Sequence, residues 1–278
     1  MQYSQFNIKT MDDIKLNCIN WHPDDISKAV VIIVHGLGEH INRYLHVAER
    51  LTKAGFTIVG FDLRGHGKSE GIRGHAPSYA ALTNDIRIII DYSNKIYPSS
   101  PIFLYGHSLG GSLLLYLLLT QRPKIKGAVV SSPGLTPIRP ISPLLKFTAR
   151  ILSKFIPTLQ LKNKLDTSGL SQDKNIVAEY INDPLVHDKI STRLGIELID
   201  QGQWIYQNAK MINTPLLFVQ GGKDRLVNPS INMKFFERLN GNATLLWREN
   251  GYHELHNEPN KEEIIDSLIA WMNNILST

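Results

Sequence analysis

"PIFLYGHSLGGSLLLYLLLTQ", residues 101–121, places a serine in the pattern G-x-S-x-G between two segments of different character. The apolar run Ile102–Tyr105 is typical of a buried strand, and the leucine-rich stretch after Gly111 predicts a helix. A serine on such a sharp turn projects its hydroxyl, and the N–H of Leu109 lies at a helix N-terminus, where an anion is stabilised. The stretch therefore predicts that Ser108 is a nucleophile on a strand-to-helix elbow.

A second G-x-S-x-G, GKSEG at residues 67–71, lacks this context. It follows a plausible strand but continues into GIRGHAPS, which is too rich in glycine and proline to begin a helix. The overlapping GHGKS resembles a phosphate-binding loop, yet that motif requires glycine where this chain has Asp62, and no helix follows. We interpret the segment as a structural loop, and Ser69 is not expected to be the nucleophile.

Apolar, β-branched runs recur along the chain, mostly separated by segments with helical spacing. These runs are AVVIIV (29–34), FTIVGF (56–61), PIFLY (101–105), GAVVSS (127–132) and TPLLFVQ (214–220). The alternation predicts an α/β fold with a mostly parallel central sheet covered by helices on both faces. The rhythm is interrupted in residues 133–208, which predict a helical cap inserted into a core formed by 1–132 and 209–278.

Composition excludes several function classes. The single cysteine, Cys18, rules out an internal disulfide and a cysteine-built zinc site. The net charge of +5 is not gathered into a basic run or stripe, so no nucleic-acid partner is expected. No segment reaches the roughly 18 uninterrupted apolar residues of a membrane span, and no secretory signal is visible. The expectation is a cytoplasmic protein, at most peripheral to a membrane.

A serine nucleophile needs a base and an orienting carboxylate, which follow a G-x-S-x-G elbow in the order Asp or Glu, then His. Asp224 lies in GGKDRLV just after the run PLLFVQ, and His253 lies in ENGYHELHNEP after TLLW. Both positions fall in loops after strands, at the same sheet edge as the elbow. In HELH the two histidines are three residues apart in a loop, whereas zincins need a spacing of four on a helix, so no metal is expected. No other cofactor is expected either.

The segment SPLLKFTARILSKFIP, residues 142–157, predicts an amphipathic cap helix. Its apolar face could pack on the core with its lysines in water. Alternatively the helix is a lid whose apolar side, including Leu145 and Ile151, meets acyl chains or makes transient contact with a membrane surface. The two interpretations are compatible.

Several motifs spread over nearly the whole chain together resemble the monoacylglycerol lipases of the α/β-hydrolase superfamily and the related bacterial lysophospholipases. They are HGLGEHINRY (35–44), FDLRGHGKSEG (61–71), GHSLGG (106–111), SSPG (131–134), YINDPLV (180–186), GGKDRLV (221–227) and YHELHNE (252–258). The resemblance implies the triad Ser108, Asp224 and His253, with the backbone N–H groups of Leu37 and Leu109 as oxyanion donors.

The resemblance also implies that four polar residues lie at or near the glycerol end of the site, with ordinary structural hydrogen bonding as the alternative. They are Glu39, Arg43, Tyr180 and His256. The implied activity is hydrolysis of monoacylglycerols, a small lipid ester substrate, through an acyl-enzyme. The alternatives are a lysophospholipase, a carboxylesterase or thioesterase with the same triad, and a non-catalytic ligand receptor. No obligate protein partner is evident.

Overall fold

The apolar runs of the sequence form the strands of one large sheet. The computed structural model describes residues 2–138 and 140–278. The strands are β1 (Gln2–Lys9), β2 (Lys15–His22), β3 (Ala29–Val34), β4 (Phe56–Phe61), β5 (Ile102–His107), β6 (Gly127–Ser131), β7 (Gln160–Lys162), β8 (Lys189–Ser191), β9 (Leu216–Gly221) and β10 (Ala243–Arg248). The helices are α1 (Leu45–Lys53), α2 (Tyr79–Ile96), α3 (Leu109–Thr120), α4 (Pro143–Phe155), α5 (Lys174–Asn182), α6 (Thr192–Gln207), α7 (Pro229–Phe236) and α8 (Lys261–Ser277).

The central sheet has eight strands in the order β1-β2-β4-β3-β5-β6-β9-β10. From β4 to β10 all neighbours are parallel, whereas β1 and β2 add an antiparallel edge. The carboxyl ends of the parallel strands share one edge of the sheet, so the loops after β3, β5, β9 and β10 converge there. The predicted mostly parallel sheet is confirmed, and the antiparallel edge strand β1 is an addition to it.

Helices cover both faces of the sheet, which explains why its strands read as continuous apolar runs. In β3, Val30 and Val34 pack in the cluster that contains α2 and α3. Val31 and Ile33 point the other way, into the cluster that contains α1 and α8. Alternate residues of one strand therefore supply two separate cores.

Helix α3 is apolar almost all round because it is enclosed. It packs on β5 and β6, on the neighbouring α2 and on α6 from the segment between β6 and β9. All its leucines are buried. A helix without a polar face is the expected solution for an element buried on every side, and it fixes the turn that precedes it against the sheet.

The chain between β6 and β9 contains α4, α5, α6 and the short antiparallel pair β7–β8. Helix α6 packs on α3 and α2, and α4 packs on α6. These elements lie outside the large sheet, and none of their strands exceeds three residues. The division of the chain at residues 133 and 208 stays a prediction.

Within the described residues, no helix has both the length and the apolar character required to cross a bilayer.

Candidate active site

Ser108 lies on a tight turn between β5 and α3. Its backbone adopts φ 52° and ψ −114°, a left-handed conformation that is strained for a residue with a side chain. Two hydrogen bonds anchor the turn: Ser108 N donates to Ser131 O at 2.9 Å, and Gly134 N donates to Ser108 O at 3.0 Å. These contacts hold the serine, which is half-buried, at the carboxyl end of β5.

Two glycines beside the serine are required by close backbone contacts. A Cβ on Gly106 would lie 2.6 Å from Gly110 O, and a Cβ on Gly110 would lie 2.1 Å from Val34 O. No ordinary side chain tolerates these distances. The G-x-S-x-G spacing is therefore a packing requirement of the elbow, as the sequence predicts.

Asp224 and His253 form a buried pair next to the elbow. His253 Nδ1 lies 2.7 Å from Asp224 Oδ2, and Asp224 Oδ1 accepts hydrogen bonds from the N–H groups of Leu226 and Val227 at 2.8 and 3.1 Å. A neutral imidazole that donates Nδ1–H to the carboxylate keeps its lone pair on Nε2. Between Ser108 and His253, both described, there is no hydrogen bond, a contact that often tightens only when substrate binds.

The charges around His253 favour its protonated form. Burial of the imidazole acts in the opposite direction and is the largest single effect, but the charge and hydrogen bond of Asp224 outweigh it, helped by Glu254 and Glu39. The pKa of His253 is consequently raised above that of an ordinary histidine. Such a site can hold an imidazolium after it has accepted a proton.

The two residues whose backbone amides are expected to bind an oxyanion lie at the cavity beside Ser108. Leu37 and Leu109 both line it, and Leu109 is the first residue of α3. Within the described chain, neither of these N–H groups donates to a protein acceptor. The loop that carries Leu37 is held by Gly36 N, which donates to Glu39 Oε1 at 2.6 Å. Two unpaired donors at a helix N-terminus and a fixed loop suit a developing oxyanion.

His35, at the start of this loop, has a structural environment. Leu63 N donates to His35 Nε2 at 2.9 Å, and Nδ1 lies 2.8 Å from Gly36 O. Burial lowers its pKa, so the ring stays neutral and can keep both contacts. The histidine positions the loop and does not reach the substrate cavity.

Ser108 and His253 open into one cavity of about 730 Å³. Its walls are mainly apolar side chains from the core loops and from the segment between β6 and β9. Leu145 of α4 lines it, whereas Ile151, also expected to contact substrate, does not and is 44% exposed. The expectation that Ile151 contacts acyl chains or a membrane surface stays a prediction, with its side chain on the exposed side of α4.

Helix α4 does not pack its apolar face on the core. Leu144, Phe147 and Phe155 are 75, 62 and 74% exposed, and Ser153 is the one buried residue among those described in this helix. The apolar side chains of α4 are therefore not buried against the core, and a role of the helix as a lid stays a prediction. An exposed apolar stripe of this kind marks a contact surface.

The polar residues named from the family resemblance separate into two groups. Glu39 and Tyr180 line the cavity. Arg43 lies behind them, with its guanidinium 4.7 Å from the centre of the Tyr180 ring, and it lines a second, smaller cavity of about 350 Å³. Arg43 also binds Glu254 through two hydrogen bonds of 2.7 Å.

His256 is buried behind the site and does not line the cavity. Its ring stacks on Tyr44 at 4.8 Å and meets the edge of His107 at 4.9 Å. Neither ring nitrogen has a hydrogen-bond partner. Burial and the neighbouring His107 hold the pKa of His256 well below its usual range, so the ring is neutral. Across residues 2–138 and 140–278, no group of three or more His, Cys, Asp or Glu side chains is arranged to hold a metal ion.

Sequence reasoning missed two residues that shape this site. Glu254, between His253 and Leu255 in the HELH string, lines the cavity and binds Arg43, which is 211 positions away in the chain. Gln220 donates to Asp224 Oδ2 at 3.2 Å. Glu254 could have been singled out as an acid beside a candidate base, but its pairing with Arg43 could not be predicted from the sequence.

Ser69, in the second G-x-S-x-G, is a buried structural residue. Its Oγ donates to Asp62 O at 2.6 Å and accepts from Asn17 N at 2.8 Å. The hydroxyl is therefore fully engaged in holding the loop to β2. The predicted structural role of GKSEG agrees with these contacts.

Replacing Gly110 by alanine should disrupt the elbow, because the new Cβ would overlap the carbonyl of Val34. We expect Gly110→Ala to lower the free energy of unfolding by about 3 kcal/mol, measured by urea denaturation. Gly241→Ala is the matched control, since nothing lies within 4 Å of a Cβ there, and it should change stability by less than about 0.5 kcal/mol. Equal effects of the two substitutions would contradict the steric explanation.

Comparison with known proteins places this geometry in a family. The Hydrolase_4 family, described as serine aminopeptidase, S33, matches residues 25–260. A monoacylglycerol lipase of Mycolicibacterium smegmatis is 33% identical over 254 residues, covering 91% of this chain and 90% of that protein. The phospholipase YtpA of Bacillus subtilis is 29% identical over 247 residues, covering 87% and 94%.

Two further similarities are with a much longer protein and with a solved structure of matching length. An uncharacterized abhydrolase domain-containing protein of Dictyostelium discoideum is 34% identical over 98% of this chain, which spans 29% of that protein. The crystal structure of a Paleococcus ferrophilus monoacylglycerol lipase superposes with a TM-score of 0.83 at 33% identity, covering 100% of this chain and 99% of the other. The family match and these similarities along nearly the whole sequence show that the chain belongs to the Hydrolase_4 family of the α/β-hydrolase superfamily.

Proposed function

We propose that the protein is a serine hydrolase that cleaves the ester bond of monoacylglycerols to a fatty acid and glycerol. The observation that carries the proposal is the shared cavity, onto which Ser108, His253 and the amides of Leu37 and Leu109 all open. Its mainly apolar walls suit one acyl chain, and its polar end, at Glu39 and Tyr180, suits glycerol. The similarity to monoacylglycerol lipases along nearly the whole chain supports the same substrate.

The chemistry follows the serine, histidine and aspartate mechanism. His253 Nε2 accepts the hydroxyl proton as Ser108 Oγ attacks the ester carbonyl, and the amides of Leu37 and Leu109 donate to the oxyanion. The imidazolium, stabilised by Asp224, then protonates the departing glycerol oxygen. Water repeats these steps on the acyl-enzyme and releases the fatty acid.

Lysophospholipids are the second candidate substrates, favoured by the similarity to a Bacillus subtilis phospholipase. They carry the same acyl ester on a phosphorylated glycerol. A general carboxylesterase or thioesterase would use the same three residues, and the fold alone does not separate these activities. A receptor that has lost catalysis is disfavoured, because the buried Asp224 and His253 pair is intact.

The exposed side of α4 supports transient contact with a membrane surface, where monoacylglycerols reside. The side chains of Leu144, Phe147 and Phe155 project from the helix, and Lys154 lies beside them, 5.8 Å from the ring of Phe155. Apolar residues with adjacent bases suit an anionic lipid surface. The cytoplasmic location of the protein, expected from the sequence, is also part of the proposal.

Replacing Ser108 by alanine should abolish ester hydrolysis, with kcat lower by on the order of a millionfold. Ser69→Ala tests the other motif: it removes hydrogen bonds to Asp62 O and Asn17 N and should lower stability while most of the turnover remains. Steady-state hydrolysis of a monoacylglycerol, with melting temperatures of both variants, gives the comparison. Near-normal turnover by Ser108→Ala would overturn the mechanism.

Activity should fall in acid as His253 becomes protonated, because only the neutral imidazole accepts the serine proton. Since the pKa of His253 is raised, the acid limb of kcat/KM should lie above the ordinary histidine value of about 6.5. A pH-rate profile with a stable, neutral substrate measures it. A limb well below that value, or a profile flat into the carboxylate range, would contradict a histidine base paired with Asp224.

The acyl channel can be tested with two adjacent leucines of α4. Leu145 lines the cavity and Leu144 does not. If the chain binds along Leu145, each buried CH₂ contributes up to about 0.8 kcal/mol, and Leu145→Ser should reduce kcat/KM for palmitoyl esters much more than for butyryl esters. Leu144→Ser should keep the chain-length dependence and weaken binding to anionic vesicles. Equal losses for long and short chains in Leu145→Ser would show that this leucine has only a structural role.

A further inference from the structure

The polar end of the substrate cavity holds more negative than positive charge. Glu39 and Glu254 are each 2% exposed, and Arg43, which pairs with both of them, has a side chain that is 10% exposed. Arg43 binds both oxygens of Glu254 at 2.7 Å and also donates to Glu39. Two carboxylates with a single guanidinium leave the cluster with a net charge of −1.

The carboxylate of Glu254 stays ionised in this position. Burial would raise the pKa of Glu254, but the charge and hydrogen bonds of Arg43 hold it well below the usual glutamate range. Glu254 Oε2 also accepts a hydrogen bond of 2.7 Å from Asn257. Glu39 Oε1 accepts from Gly36 N and from the hydroxyl of Tyr44, at 2.6 and 2.8 Å.

The excess charge faces the cavity and its compensation does not. Glu39 and Glu254 are among the residues that line the cavity, whereas Arg43 lies behind them. The buried carboxylate of Asp224 adds a further negative charge nearby. Three lysines, Lys146, Lys162 and Lys164, also line the cavity, but among the described ion pairs none joins them to Glu39 or Glu254: Lys146 pairs with Asp200 and Lys162 with Asp188.

Arg43 is poorly suited to bind a phosphate. Its terminal nitrogens already donate to two carboxylates, and an incoming phosphate would have to displace one of them. A phosphate placed near Glu39 and Glu254 would meet repulsion from two buried carboxylates, whose charge water screens less than that of exposed groups. An uncharged diol meets no such repulsion and can donate hydrogen bonds to carboxylate oxygens.

We propose that Glu254, together with Glu39, is a specificity-determining residue that admits acyl esters of uncharged headgroups and excludes those of phosphorylated glycerol. This inference rests on the proposed ester hydrolysis at Ser108 and narrows its substrate class. Glu254 acts through its charge at the headgroup end and does not touch the reacting atoms. The charges of Glu39 and Arg43 cancel when the two are paired, so the charge of Glu254 makes the cluster negative.

The test compares two substrates with the same oleoyl chain and the same ester bond, 1-oleoylglycerol and 1-oleoyl lysophosphatidic acid. Both are presented in neutral detergent micelles, and kcat/KM is measured for each. We expect the wild type to favour the neutral ester by at least about tenfold, as one unit charge acting over several ångströms would produce. Glu254→Gln should lower this ratio by about tenfold, mainly through faster hydrolysis of the phosphorylated ester.

Glu258→Gln is the matched control. Glu258 is a buried glutamate four positions along the same loop, and it binds Gln172 but does not line the cavity. Glu258→Gln removes the same formal charge as Glu254→Gln but outside the cavity, so the ratio of kcat/KM for the two substrates should equal that of the wild type. A purely structural role of Glu254 would lower hydrolysis of both substrates together and leave the ratio unchanged.

Each outcome separates the inference from the proposed function. No hydrolysis of either ester by the wild type would reject the proposed function. Equal hydrolysis of both esters by the wild type would reject the selection by charge while retaining the hydrolase, and this comparison needs no variant. If Glu254→Gln is too unstable to assay, Glu39→Gln removes the other carboxylate charge and should lower the ratio similarly. An unchanged ratio in the glutamine variants would overturn the proposal.

Discussion

The close backbone contact at the elbow is the constraint on which the site depends. With Gly110 against the carbonyl of Val34, the first turn of α3 is pressed onto β3 and β5. At this turn Ser108 has a positive φ, and the amide of Leu109, as the first residue of α3, has no intrahelical partner. Strain at the serine is sustained because the sheet and the enclosed α3 hold both ends of the turn.

The parallel sheet then brings distant segments to this turn. Asp224 follows β9 and His253 follows β10, so the buried pair forms beside the elbow although its members are 29 residues apart. The segment between β6 and β9 contacts the same edge, since His187 N donates to the Gly38 carbonyl at 2.8 Å. The cavity, the nucleophile and the charge cluster therefore all lie at one edge of the sheet.

Local patterns were sufficient for the main features of this arrangement. Continuous apolar runs identified the parallel strands because each strand serves two cores, and the elbow was recognisable because its glycines are sterically required. Three features were beyond such patterns. The burial of His256, the exposure of Ile151 and the pairing of Glu254 with Arg43 all depend on how remote segments pack, which periodicity does not encode. An amphipathic helix indicates an apolar face but not what covers it.

The most direct measurement is to map the site of covalent reaction with a long-chain alkyl fluorophosphonate. Such a reagent phosphonylates a serine only where a base activates it and oxyanion donors stabilise the adduct. We predict a single adduct on Ser108 by peptide mass spectrometry, formed in step with the loss of monoacylglycerol hydrolysis and slowed by the substrate. Modification of a different residue, or full hydrolytic activity with Ser108 completely modified, would contradict Ser108 as the nucleophile.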